Sequence, residues 1–226
     1  GSVAPGSRAA VARRTMRAMS DPVTTPVTDA PPTAPVILAL TMGDPCGIGP
    51  ETVLRAARRG ALDGPDGRPA VLVVGEPAVL QRAARALDDA GTHDAGPRDA
   101  ASSGSPVRSA PSPAGPVIAE VDGPHDLAAL PPGTLAVRRP AGLPADLAAL
   151  PWGRVDARAG AAAAACVRDA IALARAGAVA GIVTAPLHKE ALAAAGETYP
   201  GHTELLAAEA RGDGSVVPVR MMLANE

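Results

Sequence analysis

Short apolar runs alternate with amphipathic stretches along most of the chain. A short uninterrupted apolar run is typical of a strand buried on both faces, whereas apolar residues spaced three and four apart are typical of a helix packed on a sheet. The runs predict strands at 36–41, 70–74, 117–121, 179–184 and 216–223. The amphipathic stretches predict helices at 50–59, 77–90, 157–176 and 203–211, and one more near His188. This alternation predicts an α/β layered fold with helices on the faces of the sheet.

Three segments lack this periodicity. Residues 1–34 are rich in Pro, Thr and Ala and are expected to form a disordered N-terminal tail, which leaves 35–226 as the folded domain. Residues 91–116 turn to Gly, Ser, Pro and Asp, as in a long flexible surface loop. The Pro-rich stretch 131–151 contains a short apolar run at 134–137, and no element is assigned there.

The composition predicts an aliphatic core and a cytoplasmic protein. Hydrophobic residues make up 47% of the chain, with no Phe, one Trp and one Tyr. A formal net charge of −2 and scattered Arg residues argue against a nucleic-acid-binding surface. No apolar run reaches the roughly 18 residues of a membrane span. Cys46 and Cys166 show neither CxxC spacing nor a disulfide framework, so both are expected to be small buried residues in a reducing compartment.

The segment TMGDPCGIGPE at 41–51 joins the first predicted strand to the first predicted helix. Its three glycines allow bare backbone to approach a phosphate or a nucleotide, and the helix N-terminus adds partial positive charge. The same glycines also suit a tight turn that simply needs permissive residues. The spacing is neither the Rossmann fingerprint nor a Walker loop, so both interpretations stay open.

A polar pair, His188 and Lys189, follows the strand at 179–184 and the tripeptide TAP. Thr184 is expected to cap the next helix, and Pro186 to occupy its first turn. A cation at a helix N-terminus opposes the helix dipole unless an anion compensates it, which makes the pair a candidate for anion contact or proton transfer. The alternative is a solvated helix start.

A second polar cluster, His202, Thr203 and Glu204, follows the turn at Pro200-Gly201. Thr203 as an N-cap and Glu204 as a first-turn acid would explain two of these residues without any function. An imidazole beside exposed N–H groups is a suitable partner for a substrate hydroxyl or phosphate, so His202 is the functional candidate.

Four other polar residues lie in loop-like surroundings without metal-ligand spacing, and we expect them at the surface. They are His93, His125, Asp122 and Asp126.

Four segments of the chain occur in the order found in the 4-hydroxythreonine-4-phosphate dehydrogenase family of vitamin B6 biosynthesis. They are LTMGDPCGIGPE, VTAPLHKEAL, YPGHTELLA and VRMMLANE. The chain resembles that family over about 35–226, which corresponds to about the N-terminal two-thirds of a usual member and so to a partial dehydrogenase domain. The resemblance implies a three-layer α/β/α fold related to the isocitrate and isopropylmalate dehydrogenases, a cleft between two subdomains, and a homodimer.

The resemblance also implies a reaction, in which NAD or NADP and a divalent metal support the oxidation of 4-phosphooxy-L-threonine, followed by loss of CO2. His202 and Thr203 match the substrate-contacting His and Thr of the family, while catalytic and cofactor-binding residues are not assigned. The family's ligands for Zn, Mg or Co are histidines in THxPL-, NPHAGE- and YHDQG-like segments. This sequence contains none of those segments, so no metal ligand is assigned and little activity is expected of these residues alone.

Two alternatives stay open beside this function. Related dehydrogenases act on phosphorylated four-carbon sugar acids such as 4-phospho-threonate, and they share the same motifs. The chain could also be a non-catalytic truncated homologue. Neither the first function nor its two alternatives imply binding to a nucleic acid or to a membrane.

Overall fold

The computed structural model describes residues 36–62, 64, 69–89, 115–199, 201–210 and 222. Within these residues the strands are β1 Ile37–Thr41, β2 Ala70–Val74, β3 Val117–Glu120, β4 Thr134–Arg138 and β5 Gly181–Thr184. All are parallel and lie in one sheet in the order β3-β4-β2-β1-β5. The helices are α1 Gly49–Arg58, α2 Pro77–Asp89, α3 Ala157–Arg175, α4 Lys189–Ala194 and α5 His202–Glu209, with short 3₁₀ helices at Pro124–Ala129 and Leu147–Ala149.

Helices cover both faces of this sheet. Successive residues of a strand point to opposite faces, and the two central strands follow this rule. Leu40 and Val73 pack with α1 and α2, whereas Ala39 and Val74 pack with α3, around Cys166. The three-layer α/β/α arrangement expected from the sequence is therefore confirmed. Buried aliphatic side chains form its core, as the near absence of aromatic residues requires.

Most of the predicted elements lie where the hydrophobic pattern put them. The strands at 36–41, 70–74, 117–121 and 179–184 and the helices at 50–59, 77–90 and 157–176 are all present, with ends shifted by at most two residues. The run at 134–137, left unassigned because of its Pro-rich neighbours, forms β4 between β2 and β3. Proline disrupts the ladder only at its own position, so flanking prolines do not prevent a strand.

Other predictions concern residues that lie outside the described ranges. These are the N-terminal tail at 1–34, nearly all of the loop at 91–116, and the strand at 216–223, of which only Met222 is described.

The direction in which strands are added to the sheet reverses at β1. From β1 the chain passes through α1 to β2 on one side, whereas α3, on the opposite face, leads to β5 on the other side. In open α/β sheets, ligands bind beyond the carboxyl ends of the strands at such a reversal. The loops that follow β1 and β5 are therefore the place to look for a site.

Helix α4 packs directly on α3 at Gly160. A Cβ atom at this position would lie 1.9 Å from the carbonyl oxygen of Ala191 and 2.8 Å from the backbone nitrogen of Leu192. Only glycine permits this approach, which explains a poor helix former in the interior of α3. The contact sets the position of α4 relative to the sheet.

Arg82 of α2 ties the loop after β1 to the segment that precedes α3. Its guanidinium donates hydrogen bonds to the carbonyl oxygens of Ala148, Leu150 and Pro45 at 2.9, 2.5 and 3.0 Å. The same group lies 3.9 Å from the ring centroid of Trp152, in cation–π geometry. One side chain thus joins three segments that are distant in sequence.

The substitution Gly160→Ala tests the contact between α3 and α4. Helix propensity alone favours alanine by about 1 kcal/mol, whereas overlap with the Ala191 carbonyl must push the helices apart. We expect a net decrease of about 2 kcal/mol in the free energy of unfolding, measured by urea denaturation. The exposed neighbour Ala161 provides the control, Ala161→Ser, with an expected change below about 0.5 kcal/mol. A more stable Gly160→Ala protein would contradict this packing.

Replacing Arg82 by methionine removes the three hydrogen bonds and the cation–π contact but keeps much of the apolar stem. Hydrogen bonds from a charged group contribute more than neutral ones, so we expect a loss of about 2 to 3 kcal/mol in unfolding free energy. Trp152, the single tryptophan of the chain, should also change its fluorescence emission. Arg85→Met, at an exposed position of the same helix, is the matched control. Equal stability and emission in the two variants would disprove the role of Arg82.

Candidate functional site

The loops after β1 and β5 are joined backbone to backbone. The N–H of Asp44 donates to the carbonyl oxygen of Pro186 at 3.0 Å. Gly43 has a φ of 76°, and a Cβ there would lie 2.3 Å from that same oxygen. Gly49 is equally restricted, because its Cβ would lie 2.3 Å from the carbonyl oxygen of Met42. The two glycines are thus required by close backbone packing.

The N–H groups of this loop are largely used within the protein. Besides Asp44, Cys46 donates to the Asp44 carboxylate at 2.8 Å, and Gly47 donates to the Asp44 carbonyl at 3.0 Å. A phosphate cradle needs N–H groups that point outward without partners. Of the two interpretations of the 41–51 segment, these contacts favour the tight turn.

Asp44 is a site residue that the sequence analysis did not identify. Only 4% of the residue is exposed. Burial raises the pKa of its carboxyl, while the hydrogen bond from Cys46 and the nearby His188 act in the opposite direction. The hydrogen bond from Asp44 to Pro186, two residues before His188, brings the two motifs together after β1 and β5. The available sequence signal was an acidic residue between Gly43 and Pro45, shortly after a strand predicted to be buried.

The start of α4 differs from the expected one. The helix begins at Lys189 with His188 at the N-cap, and no side chain caps it. Thr184 is the last residue of β5 and Pro186 lies in the loop, so the predicted cap and first-turn proline are both wrong. The pairing of β5 with β1 includes Thr184, so this residue is held in the strand and does not cap the helix. His188 and Lys189 are both exposed.

The start of α5 also differs. Gly201 occupies the N-cap in an extended conformation with no side-chain cap, and His202 is the first helical residue. Thr203 therefore lies in the first turn, and its predicted role as N-cap is wrong. Helix starts without a side-chain cap leave N–H groups available to a ligand or to water. Thr203 is half-buried at this position.

His202 is the one histidine in the described part of the chain with a buried ring nitrogen that lacks a partner. Its Nε2 has no hydrogen-bond partner among the described residues. Burial lowers the pKa of the imidazole, so it is neutral at pH 7. A Cβ placed on Gly201 would lie 3.8 Å from Cε of Lys189, so the lysine stem runs beside the start of α5. The structure thus brings Lys189 to the segment that carries His202 and Thr203.

The remaining polar candidates lie elsewhere. The side chain of His125 is 76% exposed, as expected of a surface residue. Asp122 is also exposed, but Asp126 is half-buried. Its carboxylate accepts hydrogen bonds from the N–H groups of Asp122 and Gly123, so it stabilises a turn and is not a free surface charge. His93 lies outside the described residues.

Both cysteines are buried and unpaired, as predicted. Burial raises the pKa of the Cys166 thiol to about 12. Burial and the neighbouring Asp44 also raise the pKa of the Cys46 thiol. Because the thiolate is the reactive form, neither side chain is suited to act as a nucleophile at neutral pH.

The described residues contain neither a metal-binding cluster nor a membrane-spanning helix. No group of three or more His, Cys, Asp or Glu side chains in these ranges is arranged to hold a metal ion. Among the helices in the same ranges, none has the length and apolar character needed to cross a membrane.

Comparison with known proteins agrees with this fold. The family model described as "Pyridoxal phosphate biosynthetic protein PdxA" matches residues 68–226. A 4-hydroxythreonine-4-phosphate dehydrogenase of Beijerinckia indica is 42% identical over 196 residues, which cover 84% of this chain and 45% of that protein. A D-threonate 4-phosphate dehydrogenase of Pectobacterium atrosepticum is 39% identical over 172 residues, with 76% and 43% covered.

A solved structure gives the same relationship. The crystal structure of 4-hydroxythreonine-4-phosphate dehydrogenase from Klebsiella pneumoniae matches with a TM-score of 0.57 and 37% identity, covering 80% of this chain and 44% of that one. The chain thus spans less than half the length of these relatives, and not the two-thirds expected from its motifs. The family match, the identities and the shared fold agree, and the chain belongs to the family of the pyridoxal phosphate biosynthetic protein PdxA.

Proposed function

We propose that the protein carrying this chain is an NAD- or NADP-dependent dehydrogenase that oxidises 4-phosphooxy-L-threonine, with subsequent loss of CO2, in pyridoxal 5'-phosphate biosynthesis. The observation that carries the proposal is the start of α5, where the buried Nε2 of His202 has no partner among the residues that the structure describes. Family membership and the printed names of relatives support the substrate class.

His202 and Thr203 are the proposed substrate-binding residues. The N-terminus of α5 carries partial positive charge and no side-chain cap, which favours an anionic group. The ammonium group of Lys189 lies next to this helix start and adds a positive charge, which the carboxylate of Glu204 beside the same position partly offsets. A neutral imidazole can donate or accept one hydrogen bond at Nε2, as the hydroxyl or phosphate of such a substrate requires.

The cofactor and metal expected for this function are not assigned to residues of this chain. The described residues do not provide a set of metal ligands. NAD or NADP supplies the hydride acceptor in our proposal. We further propose a homodimer in the cytoplasm, on the basis of the family resemblance alone.

A second substrate is favoured by one specific observation. Relatives named D-threonate 4-phosphate dehydrogenase are 39% identical to this chain, which is close to the identity of the others. Both substrates are phosphorylated four-carbon acids, and the site described above suits either. Steady-state assays of the intact protein with 4-phosphooxy-L-threonine and with D-threonate 4-phosphate decide between them. A higher kcat/KM for the threonate would overturn the first proposal.

The substitution His202→Asn tests the proposed binding role. It removes the imidazole at the start of α5, so the dissociation constant of 4-phosphooxy-L-threonine should rise at least about tenfold, which corresponds to about 1.4 kcal/mol. Isothermal titration calorimetry on the intact protein measures the constant. His125→Asn, at an exposed site, should bind as the wild type does. Unchanged affinity in the His202 variant would remove this residue from the site.

The lowered pKa of His202 predicts a pH dependence of stability. As pH falls through about 6.5, the unfolded chain protonates this imidazole, whereas the folded protein resists protonation down to its own lower pKa. The unfolded state then binds more protons, so stability decreases in this window and is unaffected above it. Urea denaturation at about pH 7.5 and 5.5 should show a larger decrease for the wild type than for His202→Asn. Equal decreases in the two proteins would mean that burial does not lower the pKa of His202.

A further inference from the structure

One arginine of α3 holds both ends of the segment that contains the proposed substrate residues. The two terminal nitrogens of Arg168 donate to Oε1 and Oε2 of Glu197 at 2.8 and 2.6 Å, and its Nε donates to Oε1 of Glu209 at 2.9 Å. Glu197 precedes α5 and Glu209 is its last residue. The start of α5, with His202, lies between these two anchors.

The contacts of α5 with α3 lie on one face of the short helix. His202, Leu205 and Glu209 are spaced three and four residues apart, so their side chains project from the same side. Leu205 is buried against Val167 and Ile171 of α3. Rotation of α5 about its axis would therefore move Glu209 and His202 together.

Apolar contact and ion pairing fix different properties of this helix. Burial of Leu205 favours contact with α3 but is not directional. The planar guanidinium holds carboxylates at defined positions, and its two bonds to Glu197 form a bidentate pair. Arg168 is 39% exposed, so its ion pairs are screened by solvent and contribute little to stability. Its main effect is on the orientation of α5 relative to α3.

We infer that Arg168 is a positioning residue, which sets the rotation and depth of α5 and so places His202 and Thr203 for substrate. The consequence for binding rests on the proposed function, whereas the placement of His202 does not. A merely structural role predicts a lower stability for a variant and an unchanged environment of the imidazole.

The experiment compares Arg168→Met, Arg168→Lys and the control Arg175→Met in the full chain. Arg175 lies on the same helix and is exposed. The first readout is the imidazole NMR signal of His202 in the ligand-free protein, which is assigned by its loss in the His202→Asn variant. The second is the dissociation constant of 4-phosphooxy-L-threonine, and thermal unfolding confirms that each variant is folded.

We expect Arg168→Met to shift the His202 signal and to raise the dissociation constant about tenfold. Lysine keeps the charge but not the planar guanidinium that binds two carboxylates, so Arg168→Lys should show smaller changes in the signal and in the dissociation constant than Arg168→Met. Arg175→Met should match the wild type. An unmoved His202 signal in folded Arg168→Met protein overturns the inference. If the wild type binds neither phosphorylated substrate, the proposed function fails, while the NMR signal still decides the role of Arg168.

A milder variant covers the case in which Arg168→Met does not fold. Glu209→Gln removes the charge at the end of α5 and leaves the bidentate pair with Glu197 intact. A smaller shift of the His202 signal in the same direction supports the inference. A signal identical to that of the wild type, in an otherwise folded protein, contradicts it.

Discussion

The parallel pairing of β5 with β1 is the constraint on which the candidate site depends. This pairing makes β1 the point at which strand order reverses, and it aligns the ends of both strands, Thr41 opposite Thr184. The loops that follow are then close enough for Asp44 to donate to Pro186. Any side chain at Gly43 would separate them. The placement of the buried Asp44 against the loop that leads to His188 follows from this backbone geometry.

The second half of the site is carried by α4 and α5, which pack on α3. Helix α4 reaches α3 through Gly160, where backbone meets backbone, and α5 reaches it through Leu205 and the ion pairs of Arg168. A core without Phe relies on such short distances, because small aliphatic side chains bury less area each. Close backbone approach compensates for this limited burial, whereas the ion pairs of Arg168 mainly orient α5.

The two polar motifs differ in how many of their backbone N–H groups are bonded within the protein. Residues 41–51 use most of their donors internally and form a tight turn. The start of α5 lacks a side-chain cap, as the start of α1 does, and its first residue has a buried ring nitrogen without a partner in the described structure. The hydroxyl of Thr41 at the end of β1 is likewise buried without a described partner. Such unsatisfied groups cost free energy unless a ligand or water completes their hydrogen bonding. Unpartnered polar groups therefore occur at both motifs, the hydroxyl of Thr41 at the end of β1 and the imidazole of His202 at the start of α5.

The sequence by itself determined the elements, their order and the residues of the motifs. Buried parallel strands are continuous apolar runs, so β1 and β2 are legible from the chain alone, and His202 and Thr203 are conspicuous beside a Pro-Gly turn. The predicted cap of α4 was wrong because Thr184 is held in a strand by β1, and a local capping rule does not register a partner distant in sequence. At α5 the N-cap is Gly201 and His202 is the first helical residue, so Thr203 lies inside the helix. Only the tertiary structure showed the strand order, the contact of Asp44 with Pro186 and the ion pairs of Arg168 with Glu197 and Glu209. Each of these joins groups from separate elements, and their proximity is decided by packing, not by any local pattern.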